Sequence, residues 1–108
     1  MDLSQKKCIP CEAGTPPLTH EQYEPFLKEL KHDWEVVDGK KIKREFKFDT
    51  YLQSLEFAQK VGNLAEEENH HPNIHIYYKR VVVDLTTHSI GGLSENDFIL
   101  AAKIEALD

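Results

Sequence analysis

Cysteine is scarce in this chain: Cys8 and Cys11 are the only two among 108 residues. Their C-x-x-C spacing alone suggests a redox pair or half of a zinc site, and neither is completed. No second C-x-x-C follows, no strand precedes the pair to make a thioredoxin-like context, and Pro10, Gly14, Pro16 and Pro17 mark the segment as irregular. Two reduced, incidental thiols are the expectation. Positive charge is also short, with 13 Lys and Arg against 19 Asp and Glu and a net charge of -6. That balance disfavours extended contact with phosphate backbones, so nucleic acid is not expected as a direct partner. Apolar runs are missing too: none approaches the roughly 18 residues that would cross a bilayer. The opening Met1-Asp2-Leu3-Ser4-Gln5-Lys6-Lys7 lacks the apolar stretch of a secretory signal. A cytoplasmic protein with no membrane partner is expected.

With 40% hydrophobic residues, the chain can build one compact core and is too short for two ordinary domains. Residues 1–18 read as an irregular amino-terminal arm and 19–108 as a single domain. From Thr19 a T-x-x-Q capping box opens a helix to about Lys31, with Tyr23, Phe26, Leu27 and Leu30 on one face and Pro25 inside. Trp34 to Val37, the turn signal Asp38-Gly39, and the alternating Ile42, Arg44, Phe46 and Phe48 predict a hairpin. Asp49 is the expected cap of a second helix carrying Leu52, Leu55, Ala58, Val61 and Ala65 to about Glu68. Ile74, Ile76 and Tyr78 alternate with polar neighbours, Lys79-Arg80 marks a turn, and Val81 to Thr87 is rich in β-branched residues. Beyond Gly91-Gly92, Ser94 opens a last helix with Phe98, Leu100, Ala101, Ile104 and Leu107. The predicted class is α+β: a four-stranded antiparallel sheet with three helices packed on one face, in the order α-β-β-α-β-β-α. Its open edges favour a homo-oligomer.

The chemistry concentrates in Glu66, His70, His71, Pro72, Tyr78, His88 and Asp97, spaced E-x3-H-H-P-x5-Y-x9-H-x8-D. Imidazoles titrate near neutrality, and carboxylates beside them orient them or shift their pKa, so this reads as an acid/base site. Glu66 and His70 are four apart and share a face if the helix persists that far. His88 closes the fourth strand, which returns to where the second helix delivers His70 and His71, so topology gathers all three. Asp97 has a competing role as the acidic partner of Ser94 in a helix cap. Tyr78 reads as packing or a hydrogen-bond donor at the sheet, and His20, His32 and His75 default to surface or structural positions. Three histidines also raise zinc, yet adjacent residues rarely aim both rings at one ion and neither H-x-H nor H-E-x-x-H occurs. No nucleophile-elbow or catalytic-cysteine signature is present. No metal is expected.

These seven positions, together with Thr86-Thr87-His88, Gly91-Gly92-Leu93-Ser94-Glu95-Asn96-Asp97-Phe98 and the bacterial-type Cys8-Ile9-Pro10-Cys11, resemble the signature of the pterin-4a-carbinolamine dehydratases. The resemblance implies dehydration of a 4a-hydroxytetrahydropterin to the quinonoid dihydropterin, which recycles the pterin after an aromatic amino-acid hydroxylase has used it. Pterin would be the substrate, and no cofactor is implied. By position, His70 and His88 would be the acid/base pair and His71 would chiefly bind and orient the pterin. Glu66 and Asp97 would hold the histidines or polar ring atoms, with Asn69, Pro72 and Tyr78 completing the substrate-binding set. Two departures stand out: Asn96 where animal members have arginine, and Asn69 where an acidic residue is common. A homodimer or homotetramer is expected. The alternative function is a non-enzymatic dimerisation cofactor of a transcription regulator, which animal relatives also provide.

Overall fold

The computed structural model describes residues 2–9, 14–31 and 34–108; Pro10, Cys11 and His32 lie outside the described residues. In chain order the elements are α1 (His20–Glu29), β1 (Glu35–Val37), β2 (Lys41–Lys47), α2 (Tyr51–Glu68), β3 (Asn73–Tyr77), β4 (Arg80–Leu85) and α3 (Glu95–Glu105), with single 3-10 turns at Leu3–Gln5 and His88–Ile90. The strands form one antiparallel sheet in the order β1-β2-β4-β3. The α+β class and the element order are those the residue pattern predicts. No helix among the described residues is long and apolar enough to cross a membrane.

Local chemistry sets the boundaries. Thr19 caps α1 in a reciprocal box with Gln22, and the helix begins at His20 despite Pro25. Pro25 only forfeits the bond to the Glu21 carbonyl. The helix stops two residues short of the expected Lys31, since Leu30 is extended with φ -69° and ψ 137°. The cap of α2 is Thr50 and not Asp49: the Thr50 hydroxyl accepts the Gln53 N–H at 3.1 Å, and the Gln53 side chain accepts the Thr50 N–H at 3.2 Å. Asp49 would face Leu52 three residues on, which has nothing to return. In the first hairpin Asp38 and Gly39 both have positive φ, 54° and 67°, which matches the twist of the flanking strands.

The second hairpin turns at Tyr78-Lys79, not at Lys79-Arg80, because Arg80 already pairs with Tyr77. A two-residue shift leaves every side chain on its face, so alternation cannot choose between these registers. Contacts outside the hairpin favour the observed one, since Arg80 pairs with Lys47 across the sheet and meets Glu45 at 2.7 Å, and within it the guanidinium stacks on Tyr77 at 3.9 Å. β4 also ends earlier than expected, at Leu85, leaving Thr87 in an isolated bridge to Gly92.

Ile42, Phe46, Val81, Val83 and Leu85 on one sheet face join Tyr23, Phe57, Val61, Phe98, Leu100 and Ile104 from the helices in a single buried cluster. The other face carries Asp84 flanked by Lys43 and Asn73, and among the described residues no helix lies over it. The described part of the arm is docked: the Cys8 N–H donates to Glu68 at 3.0 Å, the Ile9 N–H donates to Asn96 at 2.9 Å, and Lys6 pairs with Glu95.

Candidate active site

The junction after α2 decides where the first two histidines go. Asn69 ends the helix in the left-handed region, φ 53° and ψ 40°, which asparagine adopts more readily than most residues. The helix therefore does not persist to His70, and the shared face expected for Glu66 and His70 is lost. His70 instead turns toward the start of α3, where its Nε2 lies 2.6 Å from Asp97 Oδ1. Glu66 pairs with His71, Oε1 to Nε2 at 2.9 Å, in a mostly exposed contact.

Asp97 combines the two roles its position suggested. Its side chain is 0% exposed and that of His70 12%. Besides His70, it accepts the Thr87 hydroxyl and the Ser94 N–H on Oδ2, each at 2.9 Å. A buried carboxylate needs such partners to offset its desolvation. Helix cap and histidine partner are thus one group. The Thr87 hydroxyl also lies 2.8 Å from that of Ser94.

His88 does not close a strand; it opens a 3-10 turn, which Gly91 ends with φ 70°. Its neighbour Thr87 shares Asp97 with His70, so one carboxylate ties the two histidine segments together. The His88 imidazole has no hydrogen-bond or ionic partner among the described residues. It lines a hollow of about 390 Å³ with Val37, Lys41, Asn73, Asp84 and Thr86. This hollow opens where the end of β4 meets the β1–β2 turn on one side and the start of β3, just past His71-Pro72, on the other.

Tyr78 is not part of this gathering. It sits at the opposite end of β3 from Pro72, 69% exposed, with its ring 6.3 Å from that of Tyr51. Five residues of strand, at about 3.3 Å each, separate the two ends. Asn69 contributes its backbone turn. His75, expected at a surface or structural position, is half-exposed and its Nε2 lies 3.0 Å from Asp84 Oδ2. Thr87, Asn73 and Asp84 were missed as site residues. For Asp84 a signal existed: it is the one charged residue within the apolar run Val81–Leu85.

Among the described residues, no three or more His, Cys, Asp or Glu side chains converge as a metal site. Burial, and then the nearby Glu68 charge, push the Cys8 thiol up to about 12. At neutral pH it carries almost no thiolate, the form that reacts or binds metal.

The fold and site define a class of small antiparallel α+β domain, with His88 and Asp84 lining a hollow near one end of the sheet and the His70–Asp97 pair tied to the same segment through Thr87. Within that class the chain belongs to the family described as pterin 4 alpha carbinolamine dehydratase, whose model matches residues 16–107. A Rickettsia canadensis (strain McKiel) protein, provisionally named pterin-4-alpha-carbinolamine dehydratase, is 47% identical over 104 residues, covering 96% of this chain and 95% of that protein. A Rubrobacter xylanophilus protein of the same provisional name is 43% identical and covers 98% of both. Among solved structures, a transcriptional coactivator/pterin dehydratase from Brucella melitensis superposes with a TM-score of 0.77 at 36% identity, covering 84% of this chain and 97% of its own. A pterin dehydratase-like protein identified as a RuBisCO assembly factor in the alpha-carboxysome gives 0.61 at 26% identity, covering 71% and 90%.

Proposed function

We propose that the protein dehydrates 4a-hydroxytetrahydropterin to the quinonoid dihydropterin by histidine general acid/base catalysis. The observation that carries this is the linked set His70–Asp97–Thr87–His88, with His88 facing the hollow. In the reaction the C4a–O bond breaks and the hydroxyl leaves as water with a proton from the acid. A base removes the proton on N5, and its electrons form the N5=C4a double bond. Hydroxide is a poor leaving group, so the acid is essential, and each well-placed proton-transfer group contributes roughly 10²–10⁴-fold. His70 and His88 form the acid/base pair, and Asp97 holds the His70 ring in place. His71, tethered to Glu66, binds and orients the ring. No step calls for a metal or a redox cofactor. The activity would serve a cytoplasmic aromatic amino-acid hydroxylase by returning its pterin to use.

The test is turnover of freshly generated 4a-hydroxytetrahydropterin by the wild type, His70→Ala, His88→Ala and the double variant. Both single variants should lose at least tenfold. No acceleration by the wild type rejects the dehydratase, and unchanged turnover in all three variants rejects the histidine roles.

Self-association, as a homodimer or homotetramer, is part of the same reading. β3 is an edge strand, and Ile76 and Tyr77 on it are each 45% exposed. Such an edge is stable when paired with a second copy. A monomer by sedimentation at micromolar concentration would oppose this. The Brucella melitensis relative is described as a coactivator as well as a dehydratase, which favours one second reading: a binding module for a transcription regulator. Partner binding that survives loss of turnover would support it.

A further inference from the structure

Asp84 presents a problem that proton transfer does not absorb. It lies on the sheet face that no helix of the described residues covers, in facing pairs with Lys43 and Asn73, yet it is only 4% exposed. Burying a carboxylate is costly unless it is hydrogen-bonded, and this one is held from both sides. The Asn73 amide donates to Oδ1 at 2.9 Å, and His75 Nε2 lies 3.0 Å from Oδ2. Both partners come from β3, one directly opposite and one diagonal, so the sheet register fixes the carboxylate's position. An ionised carboxylate offers about four acceptor sites, and these two contacts occupy half of them. Asp84 lines the same hollow as Thr86 and His88.

We propose that Asp84 is a substrate-recognition residue whose carboxylate accepts hydrogens from the 2-amino and N3 positions of the pterin's pyrimidinone ring. This rests on the dehydratase reading and adds to it the element that selects the substrate. The pterin ring carries an amino group and a ring N–H side by side, two donors in a fork that a carboxylate matches, as it matches the fork of arginine. The reacting C4a–N5 bond lies toward the other end of the bicycle. Binding the donor edge at Asp84, inside the sheet face, leaves that bond toward the rim where His88 sits. Asn73 and His75 act as positioning residues that keep the carboxylate aimed before substrate arrives. A site built to pair a donor group rejects an analogue lacking it, because its buried acceptor is then left unmatched.

The experiment compares binding of pterin and of lumazine, which has a carbonyl oxygen in place of the 2-amino group, by fluorescence titration. Turnover of 4a-hydroxytetrahydropterin is measured in parallel. Wild type should prefer pterin by about tenfold or more, the worth of a charge-assisted hydrogen bond. Asp84→Asn, which keeps the shape, should bring the two ligands to within about threefold and raise KM more than it lowers kcat. Asp84→Thr, a β-branched residue suited to a central strand, should do the same if the asparagine variant folds poorly. A wild-type enzyme that turns over substrate while either folded variant keeps the full pterin preference overturns the role of Asp84 alone. A wild type that neither binds pterin nor accelerates dehydration overturns the dehydratase reading and this assignment together.

Discussion

Asp97 offers the sharpest separation between holding the fold and holding a proton. Replacing it with alanine removes the acceptor for His70, Thr87 and Ser94 at once. The Thr87 hydroxyl can turn to Ser94, 2.8 Å away, but the Ser94 N–H and the His70 ring lose their partner. Each buried polar group so abandoned costs about 1–3 kcal/mol, giving a loss of roughly 2–6 kcal/mol. That is a large part of the roughly 5–15 kcal/mol that stabilises a domain, and each kcal/mol corresponds to about 4–8 °C in Tm at this size. Asp97→Ala should therefore melt at least about 8 °C lower. Asp97→Asn behaves differently. Its carbonyl oxygen can keep Ser94 and Thr87, while its NH2 group turns to His70 and requires Nε2 to accept. The carboxylate beside the His70 ring is then gone. Stability should fall by about 1.5–3 kcal/mol, the value of one hydrogen bond to a charged group. Turnover should fall by roughly 10²–10⁴-fold, the contribution of a general acid or base. Urea unfolding and pH-resolved turnover of both variants provide the readouts. An asparagine variant within threefold of wild type in kcat would refute the claim that the Asp97 carboxylate positions His70 for proton transfer. An alanine variant as stable as wild type would refute the burial argument.

Three other outcomes are expected. Burial pushes Glu68 up, but the Cys8 N–H and Lys103 outweigh it and hold the carboxyl below its ordinary 4.5. A carboxylate with a depressed folded pKa contributes stability above its unfolded value and loses it as pH falls through the lowered one. Wild type should therefore exceed Glu68→Gln in stability at neutral pH, and the gap should close on acidification below 4.5, as read by urea midpoints; a pH-independent gap would contradict it. With Cys11 replaced by serine, Cys8 should react with a maleimide at pH 8 at least a hundredfold slower than a free thiol, and unfolding in urea should abolish the difference. Gly92→Ala would put a Cβ 2.7 Å from the ring Cβ of Pro17, beside the Leu18 N–H to Leu93 carbonyl bond. It should cost about 1–3 kcal/mol by overpacking, and Pro17→Ala in the same protein should restore part of that loss.

The sequence by itself determined the elements and proposed the members of the candidate site. Helical spacing, the T-x-x-Q box at Thr19, Asp38-Gly39 and strand alternation are short-range signals, carried by residues a few positions apart, so they can be read along the chain. The E-x3-H-H-P pattern with His88 and Asp97 is equally legible, because residue type and spacing carry it. What spacing could not supply was direction. Whether Glu66 serves His70 or His71 depends on a single left-handed residue, Asn69, that swings the chain out of the helix. The β3–β4 register depends on β2, which receives Arg80 through Glu45 and Lys47. Asp97 reads as a cap in sequence, and the tertiary structure made it a cap and a histidine partner by bringing two residues 27 positions apart into one 2.6 Å contact. Asp84 acquires two partners and a hollow only once β3 lies alongside β4. Local propensity acts over one or two turns of chain, whereas pairing across a sheet and the aim of a buried carboxylate are set by packing between distant segments, and only the assembled fold decides them.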